Sequence, residues 1–145
     1  MQDLITAKTV LKSGDYTCVL CRGACTHTAT ARGVAPLLQW LEDETDLRGF
    51  FAADKVVGGA AAFLYVLLGV AHVHACVISA RAIDVLTANG IAFSYDTAVP
   101  AIKNRTGDGF CPMERATASL PVCAPADALA VIKETLLRLK RGGTV

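Results

Sequence analysis

Between Lys55 and Arg81 the chain runs for 25 residues without an Asp, Glu, Lys or Arg. This stretch constrains the fold more than any motif, because it must be hidden in a bilayer or in a protein interior. Its length alone allows a membrane span. Its internal pattern argues for an interior. Val56 to Leu68 is rich in Ala and reads as a helix, and Gly69 ends it. Val70 to Ile78 is β-branched and carries His72 and His74, which are unfavourable at mid-bilayer. A buried helix followed by a buried parallel strand accounts for the same residues. No membrane span is expected.

The whole chain of 145 residues and 15.2 kDa is the size of one domain with one core, and residues 1–145 are read as a single domain. Fourteen basic residues face thirteen acidic ones, a balance that gives no footprint for nucleic acid. With 53% hydrophobic and 19% charged residues, the chain is not disordered. MQDLITAKTV has neither a basic start nor an apolar h-region, so it does not read as a signal peptide, and a cytoplasmic location is expected.

Patterning predicts a helix over residues 3–12, a strand from Tyr16 to Arg22 and a hairpin return from Thr26 to Ala31. Gly33 to Pro36 leads into a helix carrying Leu37, Leu38, Trp40 and Leu41. A short strand from Gly49 to Ala53 is expected to end at Asp54, which would cap the helix that follows. Ser79 caps a helix that Asn89-Gly90 ends, and Ile91 to Tyr95 is a strand. CPMERA opens a short helix with Pro112 in its first turn, and Ala126 to Lys140 is amphipathic. Residues 138–145 are read as a frayed tail. A hairpin feeding alternating helices and strands gives an α/β fold, a three-layer αβα sandwich around a mixed five-stranded sheet. Ligands in such sheets bind beyond the carboxyl ends of the parallel strands, at helix N-termini.

The spacing of Cys18, Cys21 and Cys25, followed by His27, resembles a metal site. No second ligand pair follows, and positions three apart on a strand point to opposite faces. His72, His74 and Cys76 share one strand face, where hydrogen-bonded histidines are the plainer reading. No metal and no cofactor is assigned.

Three places carry candidate chemistry. Asp54 and Lys55, with Gly58 close behind, lie where a strand is expected to give way to a helix. There Lys55 and helix N–H groups would meet an anion, and Gly58 and Gly59 would allow close approach of a ligand or a neighbouring backbone. The plainer alternative is a capping Asp and a surface Lys. Cys111 precedes a helix, a position that lowers a thiol's pKa, and Glu114 is three residues on, placed to act as a base or to favour the helix dipole. Asn104 and Arg105, ahead of Gly107-Asp108-Gly109, form a polar loop in which Arg105 would clamp a phosphate or carboxylate. Its alternative is a loop Arg paired with Asp108. No standard nucleotide-binding glycine loop is present.

GVAPLL, ADKVVGGAAA, VISARAIDVL, NR-x-G-D-G and CPME, in that order, resemble the domain-of-unknown-function 1893 family of small bacterial proteins. The resemblance covers nearly the whole chain. It implies a cytidine-deaminase-like fold and no established activity. Zinc deaminases place H-x-E at one helix start and P-C-x-x-C at the next. Here the corresponding places fall near Gly33-Val34-Ala35 and near Asp54 to Gly58, and neither holds a zinc-ligand pair. Zinc-dependent deamination is therefore not expected.

The resulting expectation is a module that binds a small anionic or nucleotide-like ligand at helix N-termini. Asp54, Lys55 and Gly58 would form the floor, and Asn104, Arg105, Cys111 and Glu114 would close it. Whether it catalyses a reaction stays open. The alternative is a non-catalytic homo-oligomer or partner-binding module built on a scaffold that has lost its site.

Overall fold

The computed structural model describes residues 2–31, 33–103, 109 and 111–142. Six helices and five strands follow one another as α1 (Gln2–Ser13), β1 (Cys18–Arg22), β2 (Cys25–Ala29), α2 (Ala35–Glu42), β3 (Phe51–Val57), α3 (Gly59–Leu68), β4 (His72–Ser79), α4 (Ala80–Ala88), β5 (Ala92–Val99), α5 (Pro112–Thr117) and α6 (Pro125–Gly142). The strands form one sheet in the order β2-β1-β3-β4-β5. The β1–β2 hairpin and β1–β3 are antiparallel, whereas β3–β4 and β4–β5 are parallel. The α/β class and the mixed five-stranded sheet with helices on both faces agree with the sequence pattern.

The uncharged run becomes α3 and β4. Helix α3 is buried from Gly59 through Tyr65, with no polar face, as a helix enclosed by other elements must be. Gly69 ends it at φ 74°, a left-handed cap that suits glycine. Among the described residues no helix is long and apolar enough to cross a membrane.

The two faces of the sheet are covered unequally. On one face α3 lies at the centre, flanked by α2, α4, α5 and α6, and most of the core sits there. On the other face α1 covers β1 and β3 and reaches only the margin of β4, over a small cluster of Ala7, Leu11, Val19, Cys21 and Ala53. Strand β5 is an edge strand and is largely exposed.

Several boundaries differ from the sequence reading, three of them notably, and one changes the site. Strand β3 does not stop at Ala53 but continues to Val57, because Val56 and Val57 pair with Val77 and Ile78 of β4. Asp54 is therefore a mid-strand residue, in register with Cys18 and Ala75, and Gly58 is the N-cap of α3. Strand β5 runs on to Val99 where the sequence suggested a stop at Tyr95, because Thr97, Ala98 and Val99 pair with β4. Helix α6 includes residues 138–142, which had read as tail, since Leu139 packs on the core and keeps the last turns docked.

Candidate functional site

At the carboxyl ends of β3 and β4 the chain leaves a cavity of about 420 Å³. It is built from the starts of two helices. Gly33, Val34 and Ala35 bring in the N-terminus of α2, and Gly58 through Ala61 bring in that of α3. The N-caps Val34 and Gly58 make no side-chain hydrogen bond of their own, and only α3 has its first N–H taken by a side chain, that of Glu114. The first N–H groups of a helix have no intrahelical partner, so such ends carry free donors and positive partial charge. Val56, Ile102, Met113, Leu136 and Leu139 add apolar wall, and Lys103 and Lys140 stand exposed at the edge.

Glu114 organises the mouth. It is buried, and both its carboxylate oxygens are engaged. The Gly59 N–H donates to Oε1 at 2.8 Å and the Ile102 N–H donates to Oε2 at 2.7 Å. Ser79 Oγ, itself the N-cap acceptor for the Ala82 N–H at 3.1 Å, lies 3.4 Å from Oε1. One carboxylate thus caps α3 from outside the helix, touches the cap of α4 and fixes the segment after β5. A side chain at Gly59 would lie 2.8 Å from Arg81 Cγ, and one at Gly58 would lie 3.2 Å from Glu114 Oε1. The two glycines permit this approach.

Cys111 is the half-buried N-cap of α5 and lines the cavity without making a cap bond. Its N–H donates to Ile102 O at 2.9 Å. Among the described lining residues there is no histidine. His27 packs against Trp40 and Phe50, while His72 and His74 both hydrogen-bond to Ser94 of β5.

The structure therefore brings Gly58, Cys111 and Glu114 together and leaves Asp54 and Lys55 out. Lys55 is an exposed strand residue whose N–H donates to Thr17 O at 3.1 Å. Asp54 Oδ2 accepts from the Tyr65 hydroxyl at 2.6 Å, and Cys18 Sγ lies 3.1 Å from the same hydroxyl. Burial pushes the Asp54 carboxyl up to about 6 and lifts the Cys18 and Tyr65 groups well above their ordinary values. Asn104 and Arg105 lie outside the described residues. Cys18 and Cys21 belong to separate clusters on opposite faces of the sheet. Among the described residues no three His, Cys, Asp or Glu side chains are placed to hold a metal ion.

Sequence reasoning passed over Ala60, Ala61, Lys103 and Lys140. The signal for Lys140 was available: Leu136, Leu139 and Lys140 recur at helical spacing and share a side of α6.

Comparison with known proteins gives the following. The family model of a domain of unknown function (DUF1893) matches residues 6–136. A crystal structure of a DUF1893 family protein from Thermotoga maritima is similar at a TM-score of 0.81, with 25% identity, covering 94% of this chain and 90% of that chain. No curated protein matches.

Proposed function

This chain belongs to the DUF1893 family, and on the geometry of its cavity we propose that it binds a small anionic, nucleotide-like ligand at the carboxyl ends of β3 and β4. The observation that carries this reading is the start of α2, which has no side-chain cap, opening on the cavity with Lys103 and Lys140 at its edge. The free N–H donors and dipole of α2 and the two ammonium groups favour an anion, and the apolar wall suits a flat base or similar group.

We read the scaffold as cytidine-deaminase-like, in keeping with the resemblance of the sequence motifs. Zinc does not fit it. The starts of α2 and α3 present Val, Ala and Gly side chains, which offer no ligand atom. Glu114 has both oxygens on backbone N–H groups. A general-base role for Glu114 would require it to release one of these. A nucleophilic role for Cys111 has no imidazole beside it in the described lining. Binding is thus the better supported role.

The test is native mass spectrometry of gently purified protein beside thermal-shift assays with inorganic phosphate and nucleoside monophosphates. A non-covalent adduct lost on denaturation, or a shift of several degrees that is reduced in Lys140→Gln, supports the reading. A bare mass together with no shift at millimolar ligand overturns it. A covalent adduct absent from Cys111→Ala would instead assign a reactive thiol.

The second reading, a partner-binding or self-associating module, is favoured by β5. This exposed edge strand of eight residues has no Lys or Pro and a single charge, Asp96, so little opposes pairing with another strand. A dimer in solution that Thr97→Pro converts to monomer would support it.

A further inference from the structure

We propose that the ligand extends out of the cavity and carries a neutral, hydroxyl-rich group in the groove between α2 and α6, as in a nucleoside diphosphate joined to a sugar. This rests on the cavity being a ligand site. Outside the cavity a second hollow of about 270 Å³ runs between α2 and α6. The two hollows share Ala35, Leu136 and Lys140, so they meet at the first residue of α2. Their combined space falls in the range of sites for extended small molecules.

The chemistry changes along this path. At the junction an uncapped helix start and the Lys140 ammonium suit a phosphate. Further out the polar groups are of mixed sign: Gln39, Glu42 and Lys133. Gln39 Nε2 donates to Asp43 Oδ1 at 2.9 Å, which leaves its carbonyl oxygen as an acceptor. Neither Glu42 nor Lys133 forms an ion pair with a described residue. A carboxylate, an amide and an ammonium along one hollow offer acceptors and donors without a net charge. A group with several hydroxyls, each both donor and acceptor, satisfies that set, whereas a further phosphate would face Glu42.

The experiment compares matched ligands by calorimetry: ADP with ADP-ribose, and UDP with UDP-glucose. Each pair shares its head and differs in the hydroxylated group. The expected result is a preference of roughly fivefold or more for the longer member of at least one pair. Glu42→Ala, an exposed position whose loss does not threaten folding, should remove that preference while leaving the affinity for the shorter member within about twofold. Equal affinities within both pairs, or a preference unchanged in Glu42→Ala, overturn the extension and leave the cavity reading standing. If none of the four ligands binds at millimolar concentration, both fail together.

Discussion

Two regions of this molecule gather polar groups, and they do so in opposite ways. On the face that α1 leaves open, the polar side chains of β4 and β5 satisfy one another. Ser94 Oγ lies 3.0 Å from His72 Nε2 and 2.8 Å from His74 Nδ1, and His74 Nε2 lies 3.4 Å from Asp96 Oδ1. The row has the connectivity of a nucleophile, a base and an acid, and each of its members has a partner within the row. At the cavity the reverse holds. The start of α2 lacks a side-chain cap, and Lys140 forms no ion pair with a described residue. On the proposed reading, the comparison teaches that a ligand site is marked less by reactive residue types than by donors left without a protein partner.

Glu114 is the exception at the cavity end, and removing it gives the largest expected effect. Its loss strands the buried Gly59 N–H and frees the Ile102 N–H, each now bonded to a charged oxygen. Hydrogen bonds to charged groups contribute about 1.5–3 kcal/mol each, so Glu114→Ala should destabilise the protein by about 3 kcal/mol in urea unfolding. Glu114→Gln should cost about half as much, since one acceptor remains. A loss below about 1 kcal/mol in Glu114→Ala would show that the carboxylate is not structural and return it to the list of candidate bases.

The next effect separates two internally bonded clusters by pH. Burial raises the Asp54 carboxyl to about 6. The folded state then holds its proton more tightly than the unfolded chain does. This contribution is fully present below about pH 4 and is lost as pH rises through 6. His72 and His74 are shifted the other way, chiefly by burial, with the Lys8 charge adding to both. Their contribution is present above their ordinary value near 6.5 and is lost as pH falls below it. Asp54→Asn should therefore gain on the wild type by on the order of 2 kcal/mol between pH 4 and pH 7, measured as unfolding free energies at both ends. A constant difference across that range would mean that the Asp54 carboxyl is not desolvated.

How much of this was legible depended on sequence distance. The Ser79 cap could be read because the rule involves residues three apart, and its bond to the Ala82 N–H is present. The paired Gly58 and Gly59 could be read as a place of close approach, but not as an approach to Glu114, which is 55 residues from Gly59. Asp54 and Lys55 were misplaced because Asp is a good cap by local rules. The pairing of Val56 and Val57 with β4 overrode the local preference. The spacing of Lys140 from Leu136 was legible, but its place at the cavity depends on α6 docking against α3. The alternating His72, His74 and Cys76 were legible as one face, but their partners Ser94 and Asp96 depend on the β4–β5 register.

The smallest effect is also the sharpest check on the contrast between the two regions. Ser94→Ala removes the hydroxyl that joins His72 to His74. His72 is half-buried, so water can replace its partner, whereas His74 is only 4% exposed and would lose its bond at Nδ1. The net loss should be about 1 kcal/mol, the worth of one neutral hydrogen bond in a partly buried setting. Because this row lies on the opposite face of the sheet from the cavity, affinity for any cavity ligand should stay within about twofold of the wild type, as expected for sites with no shared partners. If instead Ser94→Ala abolished binding or a hydrolytic activity while the fold persisted, the row on β4 and β5 would be the working site. The rule that unpartnered donors mark function would then fail for this protein.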